Sequence, residues 1–221
     1  MIAYHFISEK YALDVISNQC IKLSLINDLN DPFELIAADL PTPESRAEAF
    51  KFKEEMASKV GILCFSENWK NPLLWSHYAN RHKGVALKFE IKDEIALPVR
   101  YRQNRFSIDL LAKKYHKQSV TKKETEGIWL TKFISWNYEE EIRVICSQDD
   151  CFKKNGLLFH PLNEEINLLG LILGPLCDLT INSIKEKLPK GKEIEIIKSR
   201  LAFRSFSIVE QRNFKRQKIK N

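Results

Sequence analysis

Glycine is scarce in this sequence, with seven glycines in 221 residues, and the motifs that depend on it are absent. The patterns G-x-x-x-x-G-K-[ST] and G-x-G-x-x-G, whose loops bind phosphate through backbone N–H groups, do not occur. A G-x-S-x-G elbow, which presents the nucleophile of many hydrolases, is also missing. These absences argue against glycine-cradled phosphate binding and against a serine hydrolase.

Cysteines are few and scattered, which argues against a disulfide framework. The five cysteines include no C-x-x-C pair, and the spacing of Cys146 and Cys151 is not one that zinc sites use. Cys64 and Cys146 lie in apolar runs, where buried free thiols are common. We therefore expect reduced thiols, a cytoplasmic protein and no metal.

Long apolar runs are missing as well. The longest, residues 168–176, is interrupted by Gly170, Gly174 and Pro175, and it is too short to span a bilayer. The first residues lack the apolar core of a signal peptide. We expect a soluble protein with no membrane partner.

The chain has an ordinary apolar content and an excess of positive charge. A hydrophobic fraction of 44% permits a real core, and 35 Lys and Arg against 29 Asp and Glu give a net charge of +6. Much of the excess lies in residues 211–221, which we interpret as a basic C-terminal tail after a single domain at 1–210. Such a tail attracts nucleic acid or an anionic substrate, or it is simply solvated.

Hydrophobic periodicity predicts many short strands and few long helices, which favours an α+β domain. A helix cap at Thr42, followed by Pro43, marks the start of one helix. The lysine-rich stretch 100–123 is interpreted as a helix plus a mobile connection. Strands are predicted at 1–7, 20–24, 62–66, 85–89, 139–145, 157–161, 168–173, 193–198 and 206–209, and helices at 9–18, 43–60, 72–78 and 181–188.

The segment from Trp136 to Cys146 is the most informative part of the chain. Because side chains alternate along a strand, Glu139, Glu141 and Arg143 should share one face, opposite apolar neighbours. Two carboxylates entering a core are costly unless they line a wet cleft or meet cations. The segment therefore indicates a polar active site, or alternatively an edge strand with a solvated charged face.

Three further side chains are candidates, each with a structural alternative. His5 lies between two aromatic residues on the first strand, where a histidine is often purely structural. Ser66 ends a strand beside an acid, a pattern that turn chemistry also explains. Tyr78 shares a helix face with Leu74 and His77, and it either lines a ligand site or packs in the core.

Four segments, taken in order, resemble the bacterial family named domain of unknown function 2971. The resemblance covers roughly residues 3 to 175 and implies no defined activity. The segments are Asn30-Asp31-Pro32-Phe33-Glu34, Cys64-Phe65-Ser66, Trp75-Ser76-His77-Tyr78-Ala79 followed by Lys83-Gly84-Val85, and Trp136-x-Tyr138-Glu139-x-Glu141-x-Arg143.

The first of these segments is expected to be structural. Asn30 and Asp31 can hydrogen-bond the backbone ahead of a turn whose geometry Pro32 restricts. Phe33 is predicted to fill the core beneath that turn, and the loop is expected to lie beside His5.

The order of elements is also similar to the ADP-ribosyltransferase fold. That resemblance implies two small mixed sheets around a cleft, with flanking helices, and NAD as the substrate. By the same resemblance, His5 would hold the nicotinamide ribose and Tyr78 would stack near the nicotinamide. Glu141 would be the catalytic acid, and Glu139 would orient an acceptor.

Two more residues complete the predicted NAD site. Ser66 takes the place of the hydroxyl that ends a strand in those enzymes, and Arg143 would hold a phosphate or tune the carboxylates. The sequence thus predicts an NAD-consuming ADP-ribosyltransferase or NAD glycohydrolase of toxin or phage-defence type, with nucleic acid as a possible acceptor. The alternative is a non-catalytic nucleic-acid- or protein-binding module that uses Trp75 and the basic C-terminus.

Overall fold

The computed structural model describes residues 1–107 and 122–221, which form a mixed α and β arrangement as predicted. The helices begin and end close to their predicted positions, and Thr42 caps its helix by accepting a hydrogen bond from the Ser45 amide. The helices are α1 (Glu9–Asn18), α2 (Pro43–Ala57), α3 (Pro72–Tyr78), α4 (Lys122–Trp129) and α5 (Ile181–Lys187). The strands are β1 (Ile2–Ile7), β2 (Cys20–Lys22), β3 (Ser24–Leu25), β4 (Val60–Ser66), β5 (Val85–Ile91), β6 (Leu97–Pro98), β7 (Arg100–Arg102), β8 (Thr131–Phe133), β9 (Glu141–Ser147), β10 (Phe152–Lys154), β11 (Leu157–Pro161), β12 (Ile166–Leu173), β13 (Glu193–Leu201), β14 (Ile208–Glu210) and β15 (Gln217–Lys220).

One large sheet dominates the described residues, whereas the sequence predicted two small ones. Its ten strands run β14-β13-β12-β5-β1-β4-β9-β6, with β15 beside β13 and β3 beside β4. Within this sheet, β1 and β4 register at the single pair Tyr4 and Ser66. By contrast, β1 pairs with β5 over six residues and β4 with β9 over seven. The sheet is therefore two well-paired halves joined at one point.

The two faces of the sheet are covered by different helices. On one face, α1 and α5 contribute to the main core cluster together with alternate residues of β5, such as Leu87 and Phe89. On the other face, Leu74 and Trp75 of α3 pack against Phe6 of β1. Trp75 is fully buried and donates its indole N–H to the Trp69 carbonyl. Trp75 is thus a core residue, so the predicted use of it to contact a partner is wrong.

Part of the predicted basic C-terminal tail forms a strand, although most of its residues are exposed. Gln217–Lys220 forms β15, which pairs antiparallel with β13 and buries Ile219. Just before it, Arg216 forms a two-pronged ion pair with Glu210. The alternation of a buried isoleucine among lysines is the pattern of a strand with one solvated face, which the run of positive charge obscured.

Part of the lysine-rich stretch 100–123 also forms regular structure. β7 pairs in parallel with β8, and α4 begins at Lys122. Residues 108–121, which carry most of the predicted helix and connection, lie outside the described residues.

Two observations bear on the predictions about thiols and membranes. All five cysteines are free. In the described part of the chain, no helix combines the length and apolar composition that crossing a bilayer requires.

Candidate active site

A pocket of about 210 Å³ opens where the two halves of the large sheet separate. Beyond the single pair of Tyr4 and Ser66, β1 and β4 no longer register with each other. The imidazole Nδ1 of His5 and the Cys64 carbonyl oxygen bridge this gap at 2.9 Å. α3 covers the pocket through Leu74 and Tyr78. The split in the sheet therefore creates the space that the candidate residues surround.

The pocket brings together residues that are far apart in the sequence. His5, Ser66, Tyr78, Glu139 and Glu141 all line it, as the site hypothesis requires. Ser66 registers with Glu141 across β4 and β9, so these two lie side by side at the same level of the sheet. The predicted common pocket for His5, Tyr78 and Glu141 is confirmed as geometry.

Behind the pocket, Arg143 anchors a buried network of charges. It is 0% exposed and donates from Nε and Nη2 to both carboxylate oxygens of Glu141, at 2.9 and 3.1 Å. The same Nη2 donates to Glu34 Oε1 at 2.7 Å, and Nη1 donates to the Trp129 carbonyl at 2.8 Å. Burying an ion pair costs free energy because both charges lose their hydration. The bidentate geometry and the further acceptors of Arg143 offset that cost.

Lys132 is the second cation of this network. Its Nζ lies 2.6 Å from Glu139 Oε2 and 3.3 Å from Glu141 Oε2. It is also 3.5 Å from Glu34 Oε1. Burial lowers the pKa of Lys132, but the three glutamates outweigh that effect and raise it above its usual value. Lys132 is therefore a fixed positive charge.

The two predicted catalytic glutamates have pKa values displaced in opposite directions. Burial raises the pKa of Glu141, but Arg143 and Lys132 outweigh burial and bring the pKa below its usual value. Burial also raises the pKa of Glu139, and the contacts with Lys132 and Tyr78 offset it only in part. Divergent pKa values in neighbouring carboxyls are typical of sites that divide ionic and proton-transfer roles between them.

Tyr78 is tied to this pair from the other side of the pocket. Its hydroxyl donates to Glu139 Oε1 at 2.6 Å. Burial raises the pKa of Tyr78, and the Glu139 carboxylate raises it further, so the phenol stays protonated. Tyr78 therefore supplies an aromatic wall and a hydrogen-bond donor, consistent with its predicted place in the pocket. His77, on the same helix, is exposed and contacts the rings of Tyr78 and Tyr138.

His5 is held as a neutral ring. Burial lowers its pKa, and the contact with the Cys64 carbonyl offsets this only in part. Because Nδ1 faces that carbonyl, it carries the proton, and Nε2 is left with an acceptor lone pair. Burial raises the pKa of the neighbouring Cys64 thiol well above its usual value, and Glu141 adds to the effect. A neutral thiol is a poor nucleophile, so Cys64 does not fit a covalent role.

The polar groups of the remaining two predicted site residues, Ser66 and Arg143, are engaged by other parts of the protein. Ser66 Oγ donates to the Asn68 carbonyl and accepts from the Asn68 amide, so turn chemistry engages its hydroxyl. Arg143 does not line the pocket, and its donors are directed at Glu141, Glu34 and Trp129. Of the two predicted roles for Arg143, tuning the carboxylates fits this geometry and holding a phosphate does not.

Glu139 reaches the site by a different route from the one predicted. The strand begins at Glu141, and Glu139 ends a 3₁₀ helix that starts at Ile134. Between them, Glu140 adopts a left-handed conformation with φ of 43°, and its exposed carboxylate accepts from Asn68. The alternation expected of a strand holds for Glu141 and Arg143, with Ile142 and Val144 in the core opposite.

Sequence reasoning missed Lys132, Glu34 and Tyr101 as members of this site. Glu34 belongs to the Asn30–Glu34 segment, for which the sequence predicted a purely structural role. Its Oε2 is a buried oxygen without a hydrogen-bond partner among the described residues. Tyr101 accepts a hydrogen bond from the Glu141 amide at 2.8 Å. For Lys132 the one signal in the sequence is a lysine among the mostly apolar residues 128–134, and that signal is weak.

In the Asn30–Glu34 turn, Asp31 hydrogen-bonds the backbone as predicted, whereas Phe33 does not enter the core. Asp31 accepts a hydrogen bond from the Phe33 amide at 2.9 Å, and Asn30 lines the pocket with His5. The Phe33 side chain is 57% exposed, with the Arg105 guanidinium 5.3 Å from its ring centroid. The predicted core position for Phe33 is wrong, because the turn directs Glu34 inward to Arg143 and leaves the aromatic ring outside.

Replacing Phe33 with Ala should therefore change stability little. We expect the free energy of unfolding to fall by less than about 1 kcal/mol, the scale of an exposed cation–π contact. Urea denaturation of the variant and the unmodified protein measures the difference. Truncation of a buried phenylalanine costs roughly 3–5 kcal/mol, and a loss of that size would indicate that Phe33 is buried in the core.

Comparison with known proteins connects this site to one family. Residues 74–144 match the model of the family described as "Protein of unknown function (DUF2971)". The resemblance read from the sequence is thus confirmed for this segment, which includes Tyr78, Glu139, Glu141 and Arg143. The Asn30–Glu34 and Cys64–Ser66 segments lie outside it.

No curated protein and no solved structure matches the chain. The similarity to ADP-ribosyltransferases stays a prediction.

A metal centre was not expected at this site. Among the described residues, no group of three or more His, Cys, Asp or Glu side chains has the arrangement to hold a metal ion. Lys132 and Arg143 occupy the space between the carboxylates, where a cation would otherwise compensate their charge.

Proposed function

We propose that this pocket binds the nicotinamide riboside portion of NAD and that the protein cleaves the bond between nicotinamide and ribose. The ADP-ribose would pass to water or to an acceptor, and nucleic acid is one candidate acceptor. The observation that carries the proposal is the placement of Glu139 and Glu141, with oppositely displaced pKa values, in one pocket with His5 and Tyr78.

The charge of the site suits this reaction. Three carboxylates and two cations meet in the described network, so it carries one net negative charge when every carboxylate is ionised. When the C1′–N bond breaks, the electron pair leaves with nicotinamide, and positive charge develops on the ribose ring. A fixed carboxylate such as Glu141 stabilises that oxocarbenium-like centre.

Glu139 is suited to the second half of the reaction. The incoming hydroxyl forms a bond to C1′ and must lose its proton. Glu139, whose pKa is raised by burial, is better matched than Glu141 to accept that proton. Tyr78 holds one oxygen of Glu139, and Lys132 holds the other, which orients the carboxylate.

The size of the pocket limits which part of NAD enters it. At about 210 Å³ the pocket is smaller than the roughly 300–1,000 Å³ typical of sites that enclose a drug-sized ligand. It suits nicotinamide and its ribose, and the remainder of NAD would extend outward. His5 lines the pocket, and its Nε2, an acceptor, would receive a ribose hydroxyl.

The direct test is the release of nicotinamide from NAD by the full chain, followed by chromatography, with and without RNA, DNA and protein acceptors. We expect free nicotinamide, together with ADP-ribose or a modified acceptor. If NAD stays intact with every acceptor, while nucleic acid binds with steep salt dependence, the chain is a binding module and this proposal fails.

A further inference from the structure

A second pocket, of about 410 Å³, lies on the other side of Glu34 and Lys132 from the first. These two buried side chains line both pockets, so the pockets share a wall. Besides the buried carboxylate of Asp31 and several smaller side chains, the remainder of the second pocket is lined by aromatic rings, arginines and amides. Those side chains are Phe33, Phe133, Trp136, Arg102, Arg105, Gln103 and Asn104.

We propose that this second pocket is a binding site for one nucleotide unit, with the base on its aromatic rings and the phosphate at its arginines. Phe33 and Phe133 are 57% and 44% exposed, which leaves planar apolar surface open to a ligand. Stacking on such rings is how proteins hold bases without paired partners. This inference goes beyond NAD cleavage, since binding would stand without catalysis.

The cationic side of the pocket fits a phosphate. Arg105 is anchored by a contact to the Ala38 carbonyl and lies over the Phe33 ring, so guanidinium and aromatic surface are presented together. Arg102, at the end of β7, is exposed beside it. Arginine binds phosphate oxygens through its paired N–H groups, and the same pocket is lined by the rings that the base would contact.

A buried carboxylate lies at the wall that the two pockets share. Glu34 is 3% exposed, and its Oε2 has no hydrogen-bond partner among the described residues. Because that oxygen is itself buried, it contributes negative charge to the shared wall rather than a direct contact for a ligand.

Two sources of such a nucleotide have the same chemistry. One is the adenylate half of a free dinucleotide whose other half occupies the first pocket, and the other is a nucleotide of a single-stranded nucleic acid. Because Glu34 and Lys132 line both pockets, the pockets are adjacent, and a nucleotide from either source could lie beside a ligand in the first pocket.

Fluorescence anisotropy with labelled AMP, and separately with a labelled short single-stranded RNA, tests the inference. We expect at least one probe to bind, and Phe33→Ala or Arg105→Ala to weaken it by roughly five- to a hundredfold, the range for loss of one stacked base contact. Phe152→Ala is the matched control, because Phe152 is 44% exposed but stacks on Phe159 in the separate β10–β11–β2 sheet.

Binding of AMP that depends on Phe33 assigns the pocket to a free nucleotide, and binding of RNA alone assigns it to a strand. Binding of neither probe, or binding that both variants leave unchanged, overturns the inference. Nicotinamide release is scored separately. Binding of AMP that depends on Phe33, without cleavage of NAD, would support this inference and contradict the proposed function. Cleavage of NAD, with AMP binding unchanged in both variants, would support the proposed function and contradict this inference.

Discussion

Glu141→Gln is expected to reduce nicotinamide release from NAD by roughly two to three orders of magnitude. Glutamine keeps the shape of the side chain but removes the negative charge that would stabilise the oxocarbenium-like centre. Because that charge is used chiefly in the transition state, kcat should fall with little change in KM. Steady-state kinetics with NAD, followed by chromatography of nicotinamide, measures the effect.

Glu139→Gln and Glu140→Gln separate the roles of the three consecutive glutamates. Glu139→Gln should impair transfer to an acceptor more than cleavage of NAD, because Glu139 is assigned to the incoming hydroxyl. Glu140 is exposed and contacts Asn68, away from the pocket, so Glu140→Gln should leave both steps unchanged. Equal behaviour of all three variants would remove the enzymatic interpretation.

The fold must be monitored in the Glu141 variant, because this carboxylate is also structural. It pairs with Arg143 through two buried hydrogen bonds, so Gln weakens the network as well as the chemistry. Activity should therefore be measured well below the melting temperature of each variant. An activity loss that follows the unfolded fraction, rather than persisting in folded protein, would contradict a catalytic role for Glu141.

Arg143→Met should lower the free energy of unfolding by about 3–5 kcal/mol, the cost of breaking a buried pair by removing one partner. The methionine fills much of the volume, but Glu34 and Glu141 lose their strongest donor and the Trp129 carbonyl loses its hydrogen bond. For a chain of this length, the loss corresponds to a decrease of roughly 6–20 °C in melting temperature. Thermal denaturation followed by circular dichroism measures it.

Arg216→Met is the matched control for that substitution. Arg216 forms a bidentate pair with Glu210, but its side chain is 55% exposed, where ion pairs contribute about 0–1 kcal/mol. A similar loss of stability in the two variants would mean that burial does not set the importance of Arg143.

The effect of Arg143→Met should also depend on pH, in a direction set by Glu141. The pKa of Glu141 in the folded protein lies below its usual value, so the pair stabilises the fold at pH values above about 4.3, the ordinary glutamate pKa. As the pH falls through the lowered pKa, Glu141 becomes protonated and this stabilisation is lost. The difference between the variant and the unmodified protein should therefore decrease at acid pH.

Local sequence signals were sufficient for most of the secondary structure. Pro43 after Thr42 and Pro72 after Asn71 mark helix starts through short-range chemistry, and both capping side chains accept a backbone hydrogen bond. The polar face of β9 was also readable, because strand alternation depends only on neighbouring residues. The DUF2971 resemblance follows from the same short segments.

Tertiary structure decided which of these residues meet and how they are charged. Neither Lys132 nor Glu34 could be assigned to the site from spacing, since each reaches it through the docking of a separate element onto β9. The same holds for Phe33, whose exposure depends on the inward turn of Glu34, and for β15, whose lysines pair with β13. Composition and alternation thus determined an α+β chain with a polar strand, whereas burial and long-range pairing, which act across the fold, decided the pocket and the pKa values within it.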